Sequence, residues 1–170
     1  MIKTIDNFLS KEDFKKIKST MFDNKHFAWY YNDRVNDEDG ITENPDNYLF
    51  THVFYNTFSN SDFFYLIEPF VTKLNMGSIV KIKANLMMKT TSQQVFKFHK
   101  DCPWDFKWWT AIFYVNTNDG KTIFERGEEI ESRENRLILF DGRLKHAGTT
   151  STDSKRRILI NFNYLNSEIK

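Results

Sequence analysis

From Gly77 onward the chain is a succession of short apolar runs, each closed by a turn signal, and this rhythm limits the folds open to it. Ile79 to Met88, Gln94 to Asp101, Trp108 to Val115, Lys121 to Glu125, Ile130 to Ser132, Arg136 to Phe140 and Lys155 to Tyr164 each read as a strand. Asn118-Asp119-Gly120 is a hairpin signal that makes Lys121–Glu125 a return strand, and Asp141-Gly142 is a further turn. Strands recurring at intervals of about ten residues between turns predict a sandwich or jelly roll. The 17 Phe and the 16% aromatic content suit such a fold, because rings pack well on pleated surfaces.

The first part of the chain reads differently. Ile2 to Phe8 is a short apolar run. Ser10-Lys11-Glu12-Asp13 resembles a capping box, and Phe14, Ile17, Lys18 and Met21 follow at helical spacing. Phe27-Ala28-Trp29-Tyr30-Tyr31 is an aromatic patch, and Asn32 to Asn47 is a polar loop long enough to act as a lid. Tyr48 to Phe58 alternates in the manner of a strand. Ser61-Asp62 caps a second helix, Phe63 to Leu74, in which Pro69 marks a kink or a new start. The expected fold is mainly β (α+β): a double-stranded β-helix, or jelly roll, with the N-terminal helices packed on the major sheet. One domain over residues 1–170 accommodates it.

Composition removes several classes of function. A net charge of +1 gives no bulk attraction for nucleic acid or an anionic membrane, so neither is an expected partner. One cysteine, Cys102, excludes a disulfide framework and cysteine-rich metal clusters. No signal-peptide pattern opens the chain and no apolar stretch reaches membrane length, so a soluble, cytoplasmic protein is expected. Oligomeric state is not legible.

The chemistry concentrates at Phe96-Lys97-Phe98-His99-Lys100-Asp101-Cys102-Pro103-Trp104. On a strand, residues two apart point to one side, so His99 and Asp101 converge as two ligands of a metal site. In a jelly roll distant strands lie side by side, and His146 is placed to supply the third ligand. Two His and one carboxylate with open positions suit ferrous iron that also takes oxygen and a cosubstrate. His26 and His52 have no such partners and read as solvated or satisfied. At the start of the last strand, Arg157 shares a polar face with Leu159, Asn161 and Asn163, while Arg156 shares its face with Ile158, Ile160 and Phe162. A guanidinium on the polar face can hold a carboxylate by two parallel hydrogen bonds. Tyr114 lies on one side of its strand with Thr110 and Ile112, and its phenol can donate to the same carboxylate.

These residues resemble the iron(II)/2-oxoglutarate-dependent oxygenase superfamily, nearest to its prolyl-hydroxylase-like branch and to short viral-type members. The resemblance covers most of the chain and is strongest from Lys83 to Tyr164, with a weaker echo in Ile5-Asp6-Asn7-Phe8-Leu9-Ser10. The family's His-x-Asp falls on His99 and Asp101 and its distal His on His146. Its carboxylate-binding basic residue falls on Arg157, with Arg156 one step away, and its strand tyrosine on Tyr114. Asn85 matches loosely a further cosubstrate contact. Two departures stand out: Asp119-Gly120-Lys121 replaces a Gly-Gly, and Ser154-Lys155-Arg156 lacks the Gly before the basic residue.

The resemblance implies a dioxygenase using Fe(II), 2-oxoglutarate and O2, with ascorbate as an accessory reductant. It would hydroxylate a peptidyl, prolyl-like or small-molecule substrate and release succinate and carbon dioxide. Trp29, Tyr30 and Tyr31, with the polar loop after them, are the candidate substrate contacts, and Trp104 and Trp108 are further candidates for the mouth; the simpler reading of each ring is packing. The rival readings are a non-redox cupin-like metalloprotein and a binding module with a vestigial metal site.

Overall fold

A computed structural model describes residues 1–33, 35 and 47–166. The elements, in chain order, are β1 (Ile2–Ile5), α1 (Lys11–Asp23), β2 (Tyr30–Asn32), β3 (Leu49–Asn56), β4 (Phe58–Ser59), a single 3₁₀ turn (Phe64–Leu66), α2 (Glu68–Lys73), β5 (Met76–Met88) and β6 (Trp109–Tyr114). They continue with β7 (Lys121–Phe124), β8 (Glu129–Glu131), β9 (Arg136–Asp141), β10 (His146–Gly148) and β11 (Arg156–Asn166). An eight-stranded sheet runs β1-β9-β6-β11-β5-β3-β2, with β4 attached to β3, and a three-stranded sheet runs β10-β7-β8. Every pairing within the two sheets is antiparallel. The architecture is the expected jelly roll with helices on the major sheet.

Alternation along β11, the central strand, divides the molecule. Ile158, Ile160 and Phe162 face a core shared with Ile17 and Met21 of α1, with Phe70 of α2, and with Phe54, Ile82, Ala84 and Phe113. Leu159 faces a second core with Met87, Ile112, Tyr114, Phe124, Ile138 and Phe140, lying between the two sheets. The polar residues of β11 share this inner side, so the space between the sheets is where a buried polar site forms.

The helices follow from their caps. Ser10 Oγ accepts from Asp13 N at 3.1 Å and donates to Asp13 Oδ2 at 2.7 Å, which starts α1. Burying Ile17 and Met21 contributes about 2 kcal/mol each to docking it. The second predicted helix is broken: Ser61 Oγ accepts from Phe63 N, one 3₁₀ turn follows, and α2 begins afresh with Pro69 in its first turn. The missing N–H of Pro69 is harmless only at a helix start, which is why the break falls there.

Two strand expectations need correction. Gln94–Asp101 is not a strand; only isolated bridges, Val95 to Thr149 and His99 to His146, tie it to the minor sheet. Lys121–Phe124 is not the hairpin return of β6. It pairs with β10 and β8, whereas β6 lies between β9 and β11. Asn118-Asp119-Gly120 therefore carries the chain from one sheet to the other: Asn118 Oδ1 accepts from Gly120 N at 3.0 Å, and Gly120 is pressed against the Arg157 side chain.

Candidate functional site

The His99–His146 bridge builds the site from the backbone outward. His99 N donates to His146 O and His146 N to His99 O, both at 3.0 Å, which sets the two imidazoles side by side with centroids 4.7 Å apart. Asp101 follows two residues after His99. His99 Nε2 lies 3.7 Å from Asp101 Oδ1, and His146 Nε2 lies 3.8 Å from Asp101 Oδ2. One ligand atom from each residue falls within 4.8 Å of the others. The convergence inferred from a strand is thus achieved by a bridge and a bend.

The surroundings orient these groups. His99 Nδ1 stands 3.1 Å from Lys97 O and His146 Nδ1 3.3 Å from Leu144 O, contacts that orient both rings with Nε2 turned to Asp101. Asn161 Nδ2 donates to Asp101 Oδ1 and Oδ2 at 3.2 Å each, and Asn163 Nδ2 donates to Asn161 Oδ1 at 3.2 Å. Burial pushes the Asp101 carboxyl up, but the neighbouring imidazoles and the Asn161 amide outweigh it and hold it well below the usual carboxylate range. Burial pulls His146 below its ordinary value, so it is neutral near pH 7 and able to ligate. Two imidazoles and one carboxylate on one side of a cavity fit a divalent cation with positions left open.

That cavity, about 100 Å³ and partly open to solvent, extends from the triad between the sheets to Arg157. Arg157 is 0% exposed. Its Nε donates to Ser132 Oγ at 2.9 Å and its Nη1 to Met87 Sδ at 3.7 Å, while Nη2 is buried with no partner. No carboxylate among the described residues pairs with it, and burial draws its pKa down to about 10. A buried, unpaired cation is costly unless an anion meets it. Asn85 Oδ1, also bordering the cavity, is likewise buried and unpartnered. The guanidinium calls for an anion in the cavity, and the Asn85 carbonyl oxygen for a donor.

The remaining candidates fall in different places. The Tyr114 hydroxyl donates to Thr122 Oγ1 at 2.8 Å, and it is Thr122 that borders the cavity; Arg157 lies 5.8 Å over the Tyr114 ring. Arg156 turns to the opposite face, stacking on Phe22 at 4.5 Å and donating to Phe22 O. Trp29 packs on the helix-side core beside Phe27, and Tyr30 and Tyr31 are 64% and 61% exposed; none of the three borders the cavity. The neighbouring Asn32 does, donating to Thr51 Oγ1 at 2.8 Å. The lid expected from the loop falls mostly outside the described residues. Trp108 is buried against Gly142, and Trp104 stacks on Phe106. Sequence reasoning assigned no role to Asn161, Thr122, Met87 or Lys83. A signal existed for Asn161, since an amide on a face bearing Arg157 and Asn163 marks a polar interior.

No family model matches the chain, and no curated protein matches it. Solved structures do. A prolyl hydroxylase from Trichoplax adhaerens, in complex with a hypoxia-inducible-factor oxygen degradation domain peptide fragment, aligns with 98% of this chain and 84% of its own at TM-score 0.63 and 13% identity. A 2OG-Fe(II) oxygenase family oxidoreductase from Burkholderia pseudomallei aligns with 96% and 84% at TM-score 0.68 and 10% identity. The chain shares the fold of these structures. A third such structure, from Streptomyces hygroscopicus with nickel and 2-oxoglutarate bound, aligns with 98% and 83% at TM-score 0.60 and 11% identity. The jelly roll of these structures and a possible metal site therefore stand together in this chain. No helix among the described residues is long and apolar enough to cross a membrane.

Proposed function

We propose that this chain is an Fe(II)- and 2-oxoglutarate-dependent dioxygenase, one catalytic unit over residues 1–170, that hydroxylates a peptidyl, prolyl-like or small-molecule substrate. The overall change converts a substrate C–H, 2-oxoglutarate and O2 to C–OH, succinate and carbon dioxide. The observation that carries this reading is the orphaned Nη2 of fully buried Arg157, in the same cavity as His99, Asp101 and His146. A cupin-like isomerase or hydrolase needs the metal ligands but has no use for an uncompensated guanidinium at the far end of the cavity.

In this reading His99 Nε2, His146 Nε2 and an Asp101 oxygen hold the ferrous ion. The bound ion and cosubstrate supply the oxidising chemistry. The protein supplies position and dryness. Arg157 receives the far carboxylate of 2-oxoglutarate and Asn85 borders its path, while Ser132 and Met87 fix the guanidinium. Asn161 keeps the Asp101 carboxylate turned to the imidazoles. Phe96, Leu49, Ile112 and Leu159 wall the cavity and limit water around the reacting atoms. Ascorbate is the expected accessory reductant, and a cytoplasmic setting is part of the same proposal.

The direct test is succinate formation by purified protein given Fe(II), 2-oxoglutarate and O2, which proceeds slowly even without substrate. The reading expects succinate that depends on Fe(II), stops with chelator and is absent in His99→Ala. Correctly folded, iron-loaded protein that forms none would favour the cupin-like or vestigial alternative.

A further inference from the structure

The cavity holds a second cationic group that the cosubstrate leaves unused. Lys83 lies on β5 opposite Asn161 of β11, and its side chain borders the cavity. Its ammonium has neither a hydrogen bond nor an ion pair among the described residues. Burial lowers its pKa, the charge of Lys81 lowers it further, and Asp101 alone opposes them. A lysine held partly out of water beside a second lysine is an unfavourable arrangement for packing alone.

Register shows which end of the cavity it serves. On the inner face, Arg157 is opposite Met87, Leu159 opposite Asn85, and Asn161 opposite Lys83. Four residue steps along the strand from Arg157 to Asn161 span about 13 Å. Lys83 is thus at the level of the residue that holds Asp101, one strand across, and far from the guanidinium. Thr51 and Asn32 continue the rim on the same side as polar neighbours.

We infer that Lys83 is a specificity-determining residue that receives a carboxylate of the substrate beside the metal-ligand triad. This rests on the dioxygenase reading and narrows it. The substrate is a molecule whose reacting C–H lies close to its own carboxylate, such as a free or N-acylated amino acid. Neutral peptidyl proline, which has no charge at that position, is a poor fit. An ion pair formed in a partly desolvated cavity is worth about tenfold or more in affinity.

The test is ligand-observed NMR on protein loaded with Zn(II) and saturated with 2-oxoglutarate, which binds but does not turn over. The probes are matched pairs: L-leucine and L-leucinamide, and N-acetyl-L-proline and N-acetyl-L-prolinamide. In the wild type the carboxylate member of at least one pair binds about tenfold tighter than its amide. Lys83→Met abolishes that preference and Lys83→Arg restores part of it, while 2-oxoglutarate affinity stays within about threefold in both. A preference unchanged in Lys83→Met, or no carboxylate probe binding to the wild type, overturns this inference alone. So does a tenfold loss of 2-oxoglutarate affinity in Lys83→Met, since the ammonium then belongs to the cosubstrate. Failure of 2-oxoglutarate to bind the wild type removes the dioxygenase reading and this inference with it.

Discussion

Asn161 Nδ2 stands 3.2 Å from both carboxylate oxygens of Asp101, so one amide on the central strand fixes the plane of a carboxylate supplied by the segment after His99. Groups that orient a metal ligand typically matter about ten- to a hundredfold in metal affinity. Asn161→Ala is expected to weaken Mn(II) binding by that factor in a calorimetric titration, with the far-ultraviolet circular dichroism unchanged. An affinity within twofold of wild type would show that Asp101 needs no such support.

Gly120 and Arg157 form a second coupled pair. A Cβ at Gly120 would come within 2.6 Å of Arg157 Nε and 2.8 Å of Asn118 Oδ1. Gly120→Ala is expected to displace the guanidinium and to cost about 1–3 kcal/mol of stability by overpacking. Kinetically, the half-saturating 2-oxoglutarate concentration rises while Mn(II) affinity holds. Loss of metal binding with unchanged cosubstrate affinity would mean that Arg157 is not what Gly120 accommodates.

The two adjacent arginines should separate cleanly. Arg157 faces the cavity, whereas Arg156 lies over the Phe22 ring on the helix side. Arg157→Gln removes a charge-assisted contact and should raise the 2-oxoglutarate requirement by about ten- to a hundredfold. Arg156→Gln should leave it within about twofold and reduce thermal stability slightly. Equal effects would place the carboxylate elsewhere.

His52 supplies a pH dependence unrelated to the metal ligands. It is buried, with Nδ1 2.7 Å from Ala28 O and Nε2 2.7 Å from Ser61 Oγ, and burial lowers its pKa below the ordinary 6.5 although the Ala28 carbonyl opposes the shift. Between the folded value and 6.5 the unfolded chain binds more protons, so stability is full above 6.5 and falls as the pH drops beneath it. Urea midpoints taken on either side of that value should show this loss, and His52→Gln should flatten it. An unchanged slope in the variant would assign the effect to other groups.

The jelly roll was legible because β11 and β5 carry their alternation openly, β6 is rich in rings and β-branched residues, and turn residues separate the runs. The meeting of His99, Asp101 and His146 was legible for the same reason: the fold brings distant strands together. Local signals misled where tertiary pairing decided the outcome. Asn118-Asp119-Gly120 has hairpin chemistry, yet Lys121–Phe124 finds β10 and β8, because both edges of β6 are already paired with β9 and β11. Gln94–Asp101 has strand-like composition but only two bridging partners, Thr149 and His146. Lys83 gave no signal, since a lysine in a strand is ordinarily a solvated side chain; only the register with Asn161 puts it beside the triad.

The central claim is that three side chains from separate parts of the chain hold one ferrous ion next to a cosubstrate gripped by Arg157. The most direct measurement is anaerobic addition of Fe(II) and 2-oxoglutarate, followed by visible absorbance, since their chelate on a protein site gives a charge-transfer band. The band is expected in the wild type, lost in His99→Ala, Asp101→Ala and His146→Ala, and restored only at higher 2-oxoglutarate in Arg157→Gln. Folded wild-type protein with no band, or a band that survives removal of His146, would contradict the account.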